Sequence, residues 1–433
     1  MRAISGRSST GRRPSARAPA LATLVIAALI IGASWVTAAP AAQASPQAPT
    51  PSEPAGSPSP GRRLAKEPPQ ATVAGFPAAW SDLRIDAMAR AWQPLWMAPR
   101  PGELGGPTVG LPWRTLVDFY DGRLAFERVF TAAEGLGPTY NDVSCVACHS
   151  HPAVGGGGRD MGQGITVHGP PWTGGDAMGL HKRAIPGHAK KQAAGKTARL
   201  RTPPLFGLGL LDTVPESARQ ALEDPQDTNG DGIRGVRASR SGDGVDKPAR
   251  FGQKSNDWDL RTFLAGAMVD EMGVTNTIRR EPRGDADAIA DPEAPRHFVL
   301  RVDAFVRNLA PPARGPITAD VRAGEAVFAR LNCVGCHRPQ LGPVRGAYTD
   351  LLIHDMGPAL DSGLKDGVAT GAQWRTAPLW GLRHRARYLH DERAPSVAVA
   401  LAMHQGEAAK PAAAFHALAQ ADRRLLLAFL GSL

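Results

Sequence analysis

The four cysteines of this 433-residue chain fall into two copies of one pattern, Cys145-Val146-Ala147-Cys148-His149 and Cys333-Val334-Gly335-Cys336-His337. None is left over for a disulfide. A Cys-x-x-Cys-His run is the attachment pattern of c-type haem: two thiols form thioethers to the vinyl groups, and the adjacent imidazole is held under the iron. A zinc site would have to bring the two pairs together across much of the chain, and a redox dithiol leaves the duplicated histidine without a role. The pattern therefore predicts two covalently bound haem c groups, attached through Cys145, Cys148, Cys333 and Cys336, with His149 and His337 as proximal ligands.

A second repeat follows each motif in the same order. Arg201-Thr202-Pro203-Pro204-Leu205-Phe206-Gly207-Leu208 matches Arg375-Thr376-Ala377-Pro378-Leu379-Trp380-Gly381-Leu382 at six of eight positions. Two related units with loops of different length account for the order. In each, Pro-Leu and an aromatic ring suit packing against a haem, and Arg201 and Arg375 suit pairing with a propionate. Apolar periodicity predicts helices at Asp320–Leu331, with Val321, Gly324, Val327, Phe328 and Leu331 on one face, at Ala417–Leu430, and at Leu260–Met272. Strand alternation is scarce, and 48 Gly and 39 Pro call for long connections. The expected fold is mainly α, two tandem cytochrome c-like domains with long loops.

The formal charge of +10 does not point to nucleic acid, because Arg2, Arg7, Arg12, Arg13 and Arg17 lie in an amino-terminal stretch without acids and leave +10 − 5 = +5 for the rest. Those arginines precede an apolar run, Leu21 to Trp35, and Ala42-Gln43-Ala44, the three regions of a secretory signal. Residues 1–44 are expected to be removed on export to the periplasm, where c-type haem is attached, with no stable membrane span after cleavage. Residues 45–77, rich in Pro, Ser, Ala and Gly, read as a linker. The expected haem domains are then 78–310, with insertions, and 311–433.

With these residues in hand, the mature chain resembles the bacterial di-haem c-type oxidoreductases of peroxidase type, related to the di-haem cytochrome c peroxidases and the MauG-type enzymes. The matching stretches are Gly135 to Pro138, Arg201 to Leu208, Asp350-Leu351-Leu352-Ile353-His354-Asp355-Met356-Gly357, Trp374 to Leu382, Tyr388-Leu389-His390-Asp391 and His404 to Ala408. The resemblance implies an electron-transfer haem in the carboxy-terminal domain (haem 2) and a peroxidatic one in the amino-terminal domain (haem 1). In the peroxidases the second axial ligand of haem 2 lies fourteen residues past the His-Asp pair, and fourteen past His390 is His404. Relatives have Met or Tyr there, so His404 would make haem 2 bis-histidine; Met356 and Met403 are the rivals. Glu271-Met272-Gly273 resembles the segment whose Glu works on the distal face of haem 1, which assigns Glu271 as the catalytic acid and base that peroxide cleavage needs. The sequence departs from its relatives where they carry Trp between the haems: Phe251-Gly252-Gln253-Lys254 has Gln, with Trp258 nearby.

Asp227, Asn229 and Asp231 stand at alternate positions among glycines, which suits Ca²⁺, although Ala238 takes the place where an EF-hand needs Glu; Asp224 or Asp243 could complete the set. The resemblance adds weight, since the peroxidases hold calcium between their haem domains. The leading function is reduction of peroxide, with electrons from a small periplasmic cytochrome or cupredoxin passing from haem 2 to haem 1. MauG-type oxidation of a protein or organic substrate and a non-enzymatic electron carrier are the alternatives. A carrier keeps both irons six-coordinate, and for haem 1 the nearby histidines are His151, His168, His181 and His188.

Overall fold

The computed structural model describes residues 99–433, apart from 161, 170–177, 191, 194, 243–244 and 280–286. The expected leader, the linker and the start of the first haem domain lie outside the described residues.

Two pairs of crossed helices frame the molecule. In the first, Trp113–Glu127 packs on Arg296–Asn308; in the second, Ala319–Arg330 packs on Gln420–Leu430. Each crossing needs a glycine. A Cβ on Gly122 would stand 2.1 Å from the carbonyl oxygen of Arg301, and one on Gly324 would stand 2.0 Å from that of Leu425, so only glycine lets the backbones approach so closely. Four residues beyond each glycine and each carbonyl comes a phenylalanine, and the pairs meet: Phe126 and Phe305 at 4.9 Å between ring centres, Phe328 and Phe429 at 5.2 Å. Another four residues on, a leucine just past the end of the second helix of each pair bonds back to the Arg-Thr-x-Pro-Leu repeat. The Gly207 N–H donates to Leu309 O at 3.1 Å, and the Gly381 N–H to Leu433 O at 2.6 Å. Both glycines have φ of +73°, a left-handed turn that a side chain would strain. The two helix pairs thus repeat one set of contacts in the same order as the two short motifs.

The Leu260–Met272 helix matches its predicted bounds. Asp259 caps it by accepting from Thr262 N, and Gly273 ends it in the left-handed region. The carboxy-terminal helix differs from expectation: Leu418 has extended backbone, so one helix ends at Ala417 and the last begins at Gln420. The structure also holds five small antiparallel sheets among the described residues, where few strands were expected. In the largest, Ile165–Gly169 lies between Met178–Leu180 and Lys196–Leu200, with Val167 opposite Ala198. Another pairs Ile353–Asp355 with Gln373–Arg375.

Two hydrophobic cores follow the helix pairs. The first includes Phe119, Phe126, Met268 and Phe305. The second includes Phe328, Phe415, Leu426 and Phe429. Leu341, Leu351 and Trp380, from beyond residue 310, pack into the first core, so the two repeats share an interior. Among the described residues no helix is long and apolar enough to cross a membrane.

Candidate functional site

Both haem motifs are built alike on the proximal side. Ser144 caps the Cys145–Cys148 helical turn by accepting from Ala147 N, and the His149 N–H closes it on Cys145 O. Asn332, at φ +60°, opens the turn at Cys333–Gly335, and the His337 N–H returns to Cys333 O. The Nδ1 of His149 lies 3.0 Å from Gly156 O, and that of His337 lies 2.9 Å from Tyr348 O. A carbonyl oxygen only accepts, so Nδ1 carries the proton and Nε2 keeps its lone pair for a metal. Burial lowers both imidazoles to about 4, holding them neutral. The rings stand 6.2 Å from Phe126 and 6.3 Å from Phe328, the phenylalanines of the helix crossings.

Beside the second motif lies a cavity of about 290 Å³. Pro203, Phe206 and Gln253 line it from the first part of the chain, and His337, Met356 and His404 from the second. It fits a haem: the attachment cysteines Cys333 and Cys336 are at its edge, its walls are largely apolar, and the Nε atoms of Arg201 and Arg385 are buried there without hydrogen-bond partners. The Nδ1 of His404 lies 2.7 Å from Ala400 O, the same arrangement as in the proximal imidazoles, and burial lowers its pKa. His404 is near enough to His337 to depress its basicity further. Met356 shares this cavity, whereas Met403 caps the Val397–Ala402 helix and does not line it.

His354 serves differently. Its Nε2 lies 2.9 Å from Asp350 and its Nδ1 lies 2.7 Å from Glu407, and these carboxylates raise its pKa well above the ordinary value against the effect of burial. With both nitrogens occupied it is a buried imidazolium 3.7 Å from Cys336 Sγ. Cys336, Asp350 and His354 lie close enough together to hold a metal ion, but the thioether expected at Cys336 would remove the thiolate from that set.

Gln253, at the position where relatives carry Trp, joins the two repeats: its Nε2 donates to Arg201 O at 2.9 Å, and its carbonyl accepts from the Arg375 N–H at 2.9 Å. Arg375 donates from Nε to Gly252 O at 2.9 Å. Trp374 stacks on His390 at 3.9 Å with the Lys254 ammonium 3.8 Å from its other face. Trp258 instead packs under Lys247, away from the cavity.

Around the first motif the polar groups differ. Glu271, in the last turn of its helix, accepts from Asn141 Nδ2 at 2.6 Å, and the Asn141 N–H donates to Glu271 O at 2.7 Å. Burial raises its carboxyl to about 7, and Asp270 pushes the same way. It is close enough to Cys148 to help raise that thiol to about 11, after burial and Asp142. His181 is held at both nitrogens, by Thr139 Oγ1 at 2.8 Å and Asp270 O at 2.6 Å, so it has no lone pair to offer an iron. His168 is buried in its sheet, His188 is exposed, and His151 lines a small cleft beside Trp380.

In the predicted calcium loop, the carboxylate or amide oxygens of Asp227, Asn229 and Asp231 accept from Gly232 N, Asp231 N and Ile233 N. Asp224 accepts from Thr228 and Asn229. The Lys410 ammonium donates to Asp231 O at 3.0 Å. Asp243 lies outside the described residues.

Sequence reasoning did not find Asn141, Arg385 or the Asp350–His354–Glu407 group as a unit. Asp350, His354 and Glu407 all stood in quoted stretches, but nothing in the sequence brings the two stretches together, and no local pattern marks Asn141 or Arg385.

Residues 190–433 match the family model described as "Di-haem oxidoreductase, putative peroxidase". Among curated proteins, none matches. Of solved structures, the diheme peroxidase BthA of Burkholderia thailandensis is 18% identical, with a TM-score of 0.38 over 73% of this chain and 86% of its own. The hydrazine synthase of Kuenenia stuttgartiensis is 12% identical, with a TM-score of 0.38 over 86% of this chain and 100% of its own. A MauG-like protein associated with microbial copper homeostasis is 15% identical, with a TM-score of 0.29 over 51% of this chain and 90% of its own.

Proposed function

Because the chain belongs to the di-haem oxidoreductase family, we propose that it reduces peroxide at the first haem centre with electrons that enter at the second from a small donor, a cytochrome or cupredoxin. Each peroxide takes two electrons and two protons and yields two waters. Cys145 and Cys148 with His149, and Cys333 and Cys336 with His337, would hold the haems covalently; when bound, these supply the redox-active iron.

The observation that carries the reading is the half-buried carboxyl of Glu271 beside the first motif. Raised to about 7, it is half protonated near neutrality, where one group can both accept and return a proton. Asn141 donates to one carboxylate oxygen and fixes the other's direction. At the second motif, His337 and His404, each with its proton on Nδ1, would close both faces of the iron and exclude substrate there. Peroxide chemistry is thereby confined to the first centre.

The amino-terminal arginines, apolar run and Ala-Gln-Ala support export, with residues 1–44 removed and the remainder periplasmic. A calcium ion in the Asp227–Gly232 loop stays part of the reading, with the Lys410 ammonium as its competitor.

The experiment is a coupled assay on the haem-loaded protein, with a reduced small cytochrome or cupredoxin as donor. Two donor molecules oxidised per peroxide consumed is the expected result. Donor oxidation that needs no peroxide, or no turnover with either donor class, overturns the proposal.

A further inference from the structure

We propose that Arg385, with Arg201, forms a carboxylate clamp at the seam between the two repeats, and that its occupant is a propionate of the haem held by His337. The inference rests on the assignment of haem 2 to the 290 Å³ cavity, and not on peroxide as substrate.

Two cavities meet at this seam. The second is small, about 30 Å³, and Arg201, Pro204, Phe206, Trp380 and Arg385 line both. The Nε of Arg385 is buried without a hydrogen-bond partner, and its terminal nitrogen makes one long contact, 3.4 Å to Pro378 O. Arg201 donates to Arg387 O at 3.1 Å, while its own buried Nε stands 3.9 Å from Glu392 and bonds nothing. Glu392, whose Oε2 is also buried without a hydrogen-bond partner, is thus a carboxylate near Arg201 but not among the charges that act on Arg385. The other ionisable groups do not supply the missing negative charge: Arg159, Arg387, His151 and His384 line the small cavity, the neutral Tyr388 phenol lines the large one, and the Glu407 carboxylate in the large one is bonded to His354.

A buried cation without a counter-ion is costly. Burial and the neighbouring Arg201 lower the Arg385 pKa to about 9. A carboxylate reaching the seam from the haem cavity would supply the missing charge and accept from both Nε–H groups, in the paired geometry that guanidinium favours. Arg375, the partner expected from the repeat, is placed differently. It lines the large cavity, but its Nε is already bonded to Gly252 O, and it does not line the small one. The clamp therefore takes one arginine from the octet of the first repeat and one from just beyond the octet of the second.

The test uses the full haem-loaded protein and its Arg385→Met and Arg385→Lys variants. Haem is counted first, and each centre is then titrated spectroelectrochemically between pH 5.5 and 8.5. Reduction adds an electron, so loss of the nearby cation favours the oxidised form. In Arg385→Met the oxidised-to-reduced ratio of haem 2 at a fixed potential should rise about tenfold, a fall of ~59 mV for a one-electron couple. The haem 2 potential should also become pH-dependent near neutrality, because a propionate freed from the guanidinium takes up a proton on reduction. Arg385→Lys, which keeps the charge, should restore a nearly pH-independent potential. His151 and His384 are present in every variant, so the contrast between Met and Lys isolates the clamp. If Arg385→Met loads haem poorly, Arg385→Gln is read in its place. An unchanged haem 2 potential in a loaded neutral variant overturns the proposal, as does a lysine variant that behaves like the methionine one. So does a wild-type potential that moves when acetate or phosphate is added, since a free anion would then occupy the clamp.

Discussion

The two haem units are near copies below the iron and unlike above it. Gly122, Phe126, Phe305 and His149 are matched in place and contact by Gly324, Phe328, Phe429 and His337. On the other side, in the reading proposed above, the second unit would present His404, which is fixed by Ala400 O, and the first would present Glu271, which is fixed by Asn141. Holding a haem imposes the same demands twice: two thiols, a neutral imidazole with its proton on Nδ1, and an aromatic wall. The distal face carries no such shared demand, so it is where duplicated units can acquire different chemistry.

The largest expected effect tests that distal difference. Glu271→Gln keeps the shape and the contact with Asn141 but removes the base, so peroxide turnover should fall by ~10²–10⁴-fold with haem content unchanged. Equal loss in a variant that has also shed haem would make Glu271 structural and dissolve the contrast. Next in size is His404→Ala. One low-spin haem should become high-spin in the optical and paramagnetic resonance spectra, with haem 1 unaltered. No spectral change would pass the ligand role to Met356, which lines the same cavity.

The proximal likeness is tested by putting valine at each helix crossing. Both Gly122→Val and Gly324→Val force a side chain against a carbonyl about 2 Å from the new Cβ. Each should cost stability at the upper end of the ~1–3 kcal/mol typical of overpacking, read by denaturant unfolding. Markedly unequal losses would show that only one crossing is tight. A smaller effect concerns pH. Glu271 holds its proton to about 7 in the folded chain, against an ordinary value of 4.5. The folded form therefore binds more protons between those values, and its stability contribution is full below 4.5 and lost as pH rises through 7. Relative to wild type, Glu271→Gln should gain about 1–2 kcal/mol between pH 5 and pH 8. A constant difference across that range would place the carboxyl in solvent.

What the sequence made legible was what chemistry or backbone geometry restricts to particular residues. Thioether formation requires Cys-x-x-Cys-His, and the left-handed turns at Gly207 and Gly381 require glycine after Pro-Leu-aromatic. Phe328 and its helix were readable because the apolar face runs into the second haem motif. Their counterparts Phe126 and Gly122 lie well upstream of the first motif, where a Gly-x-x-x-Phe spacing is too generic to notice. The break at Leu418 was hidden because the residues around it are helix formers, and tertiary packing decides such a boundary. The small sheets escaped because strands of two to five residues, such as Lys196–Leu200, are too short for alternation to register. Arg385 is one arginine among many, and only the meeting of two cavities singles it out.

The smallest effect is expected in the Asp227–Gly232 loop, which joins the two units without belonging to either haem. Its spacing of oxygens suits calcium, but Asp227, Asn229 and Asp231 each satisfy a backbone N–H, and Lys410 donates to the carbonyl of Asp231. A divalent ion there must displace that ammonium and meet its repulsion. Lys410→Ala removes the competitor and leaves the loop backbone as it is, so millimolar calcium should raise the melting temperature of the variant by a few degrees more than that of the wild type. The lysine is exposed, and its own contribution to stability should be near zero. An equal calcium response in both proteins would mean that the ion binds without contesting Lys410. No response in either would leave the loop held by its own hydrogen bonds.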